Sequence, residues 1–218
     1  MKNVSEKENI TYWNEFYKKV MIDKESSFCT FVKGQFSNNF SVIDVGCGSG
    51  RDTRAFAKDG YNIVGIDRST EVIEANNNQV NKIQSISFEN IDVGDIKEFA
   101  LFLQRIRNRF EAVENKILIY SRFFLHSINA ETEEVMFNLL SDSLQKGDKL
   151  ALEFRTIEDQ RIGKIYDNHY RRFIDSDALK MKLEERYSFK IEYYFKGQGL
   201  SIFQGEDPYL ARILCTKK

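Results

Sequence analysis

Short runs of apolar, mostly β-branched residues recur along this chain, separated by longer stretches whose apolar positions return every three or four residues. The runs at 41–45, 62–66, 85–89, 116–120 and 150–154 read as strands. Several are too continuously apolar to have a wet face, as expected of parallel strands covered on both sides. Between them, the helical period predicts helices near 52–58, from 71 to about 80, over about 96–113 and across 122–144. Two more helices, roughly 6–21 and 26–33, precede the first strand, and another spans 176–187 with Asp175 or Ser176 as its N-cap. Alternating runs at 190–195 and 209–215 predict a closing antiparallel pair. Strand and helix alternate without repeats or a low-complexity linker, and with a single proline, which predicts one doubly wound, mostly parallel α/β domain over 1–218.

Composition narrows the function classes. At 218 residues the chain can bury a sheet on both faces. Its 32 Lys+Arg against 33 Asp+Glu leave a net charge of -1, so no global basic field recruits nucleic acid. Cys29, Cys47 and Cys215 are scattered, with no C-x-x-C, which points to neither a disulfide framework nor a zinc site. The expectation is a reducing, cytoplasmic setting with no bound metal. No apolar stretch approaches a membrane span, and the first residues are polar rather than a signal peptide. Oligomeric state is left open.

The densest chemical signal is Ser41-Val42-Ile43-Asp44-Val45-Gly46-Cys47-Gly48-Ser49-Gly50-Arg51-Asp52. A strand ends in an acid and opens into three alternating glycines before a helix starts. Such a loop lets the backbone approach a ligand closely and aims the helix's unpaired N–H groups at it. A Rossmann dinucleotide loop, G-x-G-x-x-G, is the obvious competitor, but Arg51 stands where its third glycine belongs. About twenty residues on, the second strand ends at Asp67, placed to accept from ribose hydroxyls. The third strand leads to Ile91-Asp92.

With these three elements in order, the chain resembles the class I S-adenosylmethionine-dependent methyltransferases. The resemblance implies a seven-stranded, Rossmann-like sheet with a C-terminal antiparallel hairpin. It implies S-adenosylmethionine as cofactor and S-adenosylhomocysteine as product. It places Asp44, Gly46, Cys47, Gly48 and Gly50 at the methionine part, Asp67 and Arg68 at the ribose, and Asp92 and Val93 around the adenine. Tyr120, after strand four, is expected at both cofactor and acceptor. Residues 1–38 are expected to form a helical cap, with Trp13 and Tyr17, beside Tyr12, over the cofactor. Ordinary packing against the sheet explains that aromatic cluster equally well.

The methyl acceptor must be read from segments at the same sheet edge. Tyr120-Ser121-Arg122-Phe123-Phe124-Leu125-His126 follows strand four. If it begins a helix, Arg122 and His126 share a face. His126 is the leading general base for a hydroxyl acceptor, with Glu153 second. Arg122, Arg155, Arg171 and Arg172, with His169 and Tyr170, are the expected substrate-binding set, because guanidinium forks bind phosphate or carboxylate. Pairing of these arginines with nearby acids is the plainer alternative. The loop 197–212 could close over the pocket or be a long hairpin connection. Further motifs, including Tyr-Trp-x-x-Phe-Tyr, Glu-Phe-Arg and His-Tyr-Arg-Arg, resemble methyltransferases of bacterial capsule and surface-polysaccharide gene clusters. That resemblance implies a small sugar, phosphate or nucleotide-activated acceptor. An N-methyltransferase for a small amine, an RNA methyltransferase and a catalytically silent cofactor-binding subunit are the rivals.

Overall fold

Parity along the strands decides the architecture. In the computed structural model, which describes residues 12, 24–80, 85–111, 115–164 and 170–218, the strands join one seven-stranded sheet. In chain order the elements are α1 (Ser27–Gln35), β1 (Phe40–Val45), α2 (Arg51–Lys58), β2 (Ile63–Asp67) and α3 (Thr70–Gln79). Then come β3 (Ile86–Asn90), α4 (Ile96–Glu111), β4 (Lys116–Arg122), a 3₁₀ turn Leu125–Ser127 and α5 (Ala130–Ser143). The chain closes with β5 (Lys149–Arg155), a 3₁₀ turn Ile157–Arg161, α6 (Ser176–Glu185), β6 (Phe189–Gly197) and β7 (Leu210–Lys217).

Strand order is β3-β2-β1-β4-β5-β7-β6. The first five are parallel, and β7 runs antiparallel between β5 and β6. Alternate residues of each central strand feed opposite faces. Ile43, Val45, Ile117 and Ile119 pack with Phe99, Phe102, Phe137 and Leu183 from α4, α5 and α6. Val42, Leu118 and Tyr120 pack with Phe28, Val32, Phe56 and Ile73 from α1, α2 and α3. Burial on both faces is why these strands lack a polar alternation. Because β2 and β4 leave β1 in opposite directions, the carboxyl ends of β1 and β4 bound a crevice, the usual ligand position in such sheets.

Two expectations change. The predicted helix over 122–144 does not begin at Arg122. Instead β4 runs on through Arg122, Phe123 adopts a left-handed φ of 55°, and a 3₁₀ turn follows. The α-helix starts only at Ala130, where Asn129 caps it by accepting from the Thr132 N–H at 2.7 Å. Arg122 and His126 therefore share no helical face. A turn intervenes because strand four must end at the sheet edge before the chain can cross to α5. The predicted helix 6–21 lies outside the described residues except for Tyr12, which is helical. Among the described residues no helix is long and apolar enough to cross a membrane.

Candidate active site

A cavity of about 810 Å³ opens at the carboxyl edge of the sheet, and both the glycine loop and the β4 end line it. The loop is shaped by what it touches. Gly46 has φ +74°, and a Cβ there would fall 2.3 Å from the Phe124 ring; Gly50 has φ +70°, and its Cβ would meet Phe88 at 2.7 Å. Both positions combine a left-handed backbone with no room for a side chain. The buried Asn76 amide holds the loop from α3, donating to the Gly48 carbonyl at 2.8 Å.

Acids face the cavity on this side. Asp67 accepts from the Gly48 N–H at 3.1 Å and from the Ser69 N–H at 3.0 Å, and its burial raises its pKa. Asp44, under the loop, accepts from the Thr53 hydroxyl at 2.6 Å. Burial pushes its carboxyl up to about 7, the Thr53 bond opposes this, and the neighbouring Asp52 and Asp67 add to it. Asp52 accepts from the Ser26 N–H at 2.8 Å, the Ser26 hydroxyl at 2.7 Å and the Tyr120 hydroxyl at 2.7 Å. It thereby ties α1, α2 and β4 together where the cavity begins.

The opposite wall is cationic. Arg122, Arg155 and Arg171 all line the cavity, with His126 among them. Arg122 donates to Glu153 at 3.0 Å and to the Ser201 hydroxyl at 2.8 Å, and its guanidinium lies 4.1 Å from the Phe123 ring centre. Arg155 is held between Asp159, at 2.7 Å, and Glu206. Burial and the neighbouring Arg155 charge lower the pKa of Arg171. His126 is buried, with its Nδ1 3.5 Å from the Arg155 N–H and its ring edge-on to Phe123. The loop after β6 covers this wall. The two left-handed residues Gln204 and Gly205 form its tight turn, and Phe203 and Glu206 close that turn with paired backbone bonds. Leu200, Ser201, Phe203 and Glu206 contribute to the cavity, so the loop covers the pocket as well as joining the strands.

The structure sorts the expected residues. It brings Asp44, Gly46, Cys47, Asp67, Arg68, Tyr120, Arg122, His126, Arg155 and Arg171 to one cavity, with Tyr12. Gly48 and Gly50 shape the loop behind its surface. Asp92 and Val93 are not on the cavity wall, and the Asp92 carboxylate accepts from the Gly94 N–H at 2.8 Å. Tyr170 is likewise absent from the wall, and Trp13, Tyr17 and His169 lie outside the described residues. Two expectations are corrected. Glu153 is fully buried behind the wall, its oxygens taken by Arg122 at 3.0 Å and Arg212 at 2.7 Å, so it orients arginines and cannot reach an acceptor proton. Arg172 turns away from the cavity, pairs with Glu133 and donates to the Leu125 and Ile128 carbonyls, fastening the 3₁₀ turn to α5. The tyrosine hydroxyl of Tyr120 is engaged by Asp52, and its ring packs on Phe28 and Phe56.

Sequence reasoning missed Asp52, Arg212 and Glu206. Arg212, on β7, donates to Glu153, to the Ser27 hydroxyl at 3.0 Å and to the Leu200 carbonyl at 3.0 Å. Only its strand parity was available as a signal. β7 pairs Arg212 opposite Glu153, and a cation facing an acid across two apolar strands suggests a buried pair.

Residues 36–143 match the family profile for a methyltransferase domain. That span contains the glycine loop, Asp67 and the β4 end. The fold is shared with a SAM-dependent methyltransferase from Anabaena variabilis ATCC 29413, at 18% identity, 99% of this chain, 96% of that chain and a TM-score of 0.75. It is shared with magnesium protoporphyrin IX methyltransferase from Synechocystis PCC 6803 with bound SAM, at 13% identity, 100% and 86% coverage and a TM-score of 0.59. TehB from Haemophilus influenzae is similar too, at 15% identity, 96% and 67% coverage and a TM-score of 0.66. No curated protein matches in sequence. The matched methyltransferase domain and the fold shared with S-adenosylmethionine-dependent methyltransferases support methyl transfer from S-adenosylmethionine as the activity of this chain.

Proposed function

We propose that the protein is an O-methyltransferase that moves a methyl group from S-adenosylmethionine to a small anionic acceptor, a phosphate, phosphoramidate or sugar hydroxyl of a capsular or surface-polysaccharide precursor. The observation that carries the reading is the wall of Arg122, Arg155 and Arg171 on the same cavity as the glycine loop and Asp67. The polysaccharide setting rests on the motif resemblance alone.

The donor set fits the cofactor. Asp44, Asp52 and Asp67 put three carboxylates on the wall that would face a sulfonium and an ammonium, and the backbone loop between them leaves no side chain in the way. When bound, the cofactor supplies an electrophilic methyl on a positively charged sulfur that leaves as a neutral thioether. The protein's residues do the rest. Asp67 orients the ribose, the arginines orient the acceptor, and the loop carrying Leu200 and Phe203 excludes water, so acceptor, methyl and sulfur are held in line.

A phosphate-type oxygen already carries charge and needs positioning more than a base. A hydroxyl would need His126. His126→Gln separates the cases: a turnover loss of order 100-fold at unchanged cofactor affinity marks a hydroxyl acceptor, and a loss under about 10-fold marks a charged oxygen.

The test of the whole reading is to incubate the protein with methyl-labelled S-adenosylmethionine and, separately, the small-molecule and macromolecular fractions of a cell extract. Label in a small anionic product is the expected result. Label only in RNA or protein, or none with S-adenosylhomocysteine bound but never produced, overturns it. A small-amine N-methyltransferase is the second reading, favoured by the Phe124 ring on the same wall, which suits a cation.

A further inference from the structure

Next to the acceptor wall, positive charge outruns the carboxylates that answer it. Glu153 is shared between Arg122 and Arg212. The neighbouring guanidinium along the cavity is Arg51, the first residue of α2. Among the described residues its one partner is Asp52, with Nε 3.8 Å from Oδ1, beyond hydrogen-bond reach. Asp52 is itself committed to Ser26 and Tyr120 through three bonds. Three guanidiniums, from Arg51, Arg122 and Arg212, thus share the carboxylates of Asp52 and Glu153. Asp44 is the third acid within their influence, and with its pKa near 7 it supplies only part of a charge at neutrality.

The Arg122 charge also bears on Arg51, while the acids around Arg122, Glu153 first, hold its own pKa up. After burial, the Arg122 charge is the largest influence lowering the pKa of Arg51. The helix offers Arg51 only the adjacent Asp52, while the unpaired N–H groups of its first turn disfavour positive charge. Two like charges kept together in a partly desolvated cavity are stable when an anion comes between them.

We infer that Arg51 is an acceptor-binding residue that closes with Arg122 on one oxyanion of the methyl acceptor. The inference rests on the anionic-acceptor reading and adds to it a residue and a place for the charge. The competing source of an oxyanion is the carboxylate of the cofactor itself, and the test distinguishes the two.

The experiment is calorimetric titration of the wild type, Arg51→Gln and Arg51→Lys, first with S-adenosylhomocysteine and then, in the loaded protein, with inorganic phosphate. The expected result is S-adenosylhomocysteine affinity within about 3-fold in all three proteins, and a phosphate Kd roughly 10- to 100-fold higher in Arg51→Gln. Arg51→Lys should lose less, because it keeps the charge without the fork. It also keeps the test open if Arg51→Gln fails to fold. Equal phosphate affinity in the wild type and the variants, or no phosphate binding by the wild type, overturns the inference. So does a tenfold loss of S-adenosylhomocysteine affinity with the phosphate response retained, which puts Arg51 on the cofactor's carboxylate. Failure of the wild type to bind S-adenosylhomocysteine overturns the methyl-transfer reading instead.

Discussion

The two walls of the cavity are built in opposite ways. The cofactor wall is nearly contiguous in sequence, running from Asp44 to Asp52 with Asp67 added, and its decisive feature is backbone shape at Gly46 and Gly50. The acceptor wall gathers Arg122, Arg155, Arg171, Ser201 and Glu206 from four separate segments, and its decisive feature is which cation pairs with which acid. A backbone cradle either forms or fails. A network of ion pairs can lose a member and re-pair, so its failures should be graded.

The sharpest break is expected at Gly46. Gly46→Ala forces a left-handed residue to carry a Cβ against Phe124, and S-adenosylhomocysteine affinity measured by calorimetry should fall by more than about 100-fold. Should Gly46→Ala bind normally, the cofactor wall is not the rigid element described.

On the other wall, Glu153→Ala leaves Arg122 and Arg212 buried without their shared acid. Urea unfolding should show a loss of about 3–5 kcal/mol. A loss below about 1 kcal/mol would mean the pair re-forms with other acids, and that the acceptor wall is looser than its geometry suggests.

Asp44 provides a pH-dependent comparison. Its folded pKa, about 7, lies above the ordinary 3.8, so the folded protein holds a proton that the unfolded chain has released. Stability from this group is complete below about pH 4 and is lost as pH rises through 7. Asp44→Asn, which can still accept from Thr53, should therefore be more stable than the wild type at pH 8 by roughly 4 kcal/mol, with the gain vanishing by pH 4. Thermal melts across that range check the sign. A gain that grows toward low pH would contradict the burial argument.

The smallest effect is expected at Ser201. Ser201→Ala removes one bond to Arg122 from the covering loop, worth about 0.5–1.5 kcal/mol, and should weaken phosphate binding in the loaded protein by no more than about 10-fold. S-adenosylhomocysteine affinity should stay unchanged. A change there would join the two walls into one unit.

How far the chain could be read follows the same division. The strands at β1, β2, β4 and β5 announced themselves because burial on both faces leaves an uninterrupted apolar run. The closing β6–β7 pair was legible from alternation. The helix expected from Arg122 was not found, because strand four's last residue and the 3₁₀ turn after it carry the same residue types as a helix start. What decides between them is the position of the sheet edge and the left-handed Phe123.

By itself, the sequence determined the class of sheet, the glycine loop and the acid after β2, since each depends on residues close together whose backbone preferences act locally. Only the tertiary structure decided which arginines face the cavity. Arg172 turned to Glu133, Arg155 to Asp159 and Glu206, and Glu153 became the hub between Arg122 and Arg212. Long flexible cations choose partners by distance and burial after the fold is made, and charges far apart in sequence, as on β4, β5 and β7, meet only when their strands lie side by side.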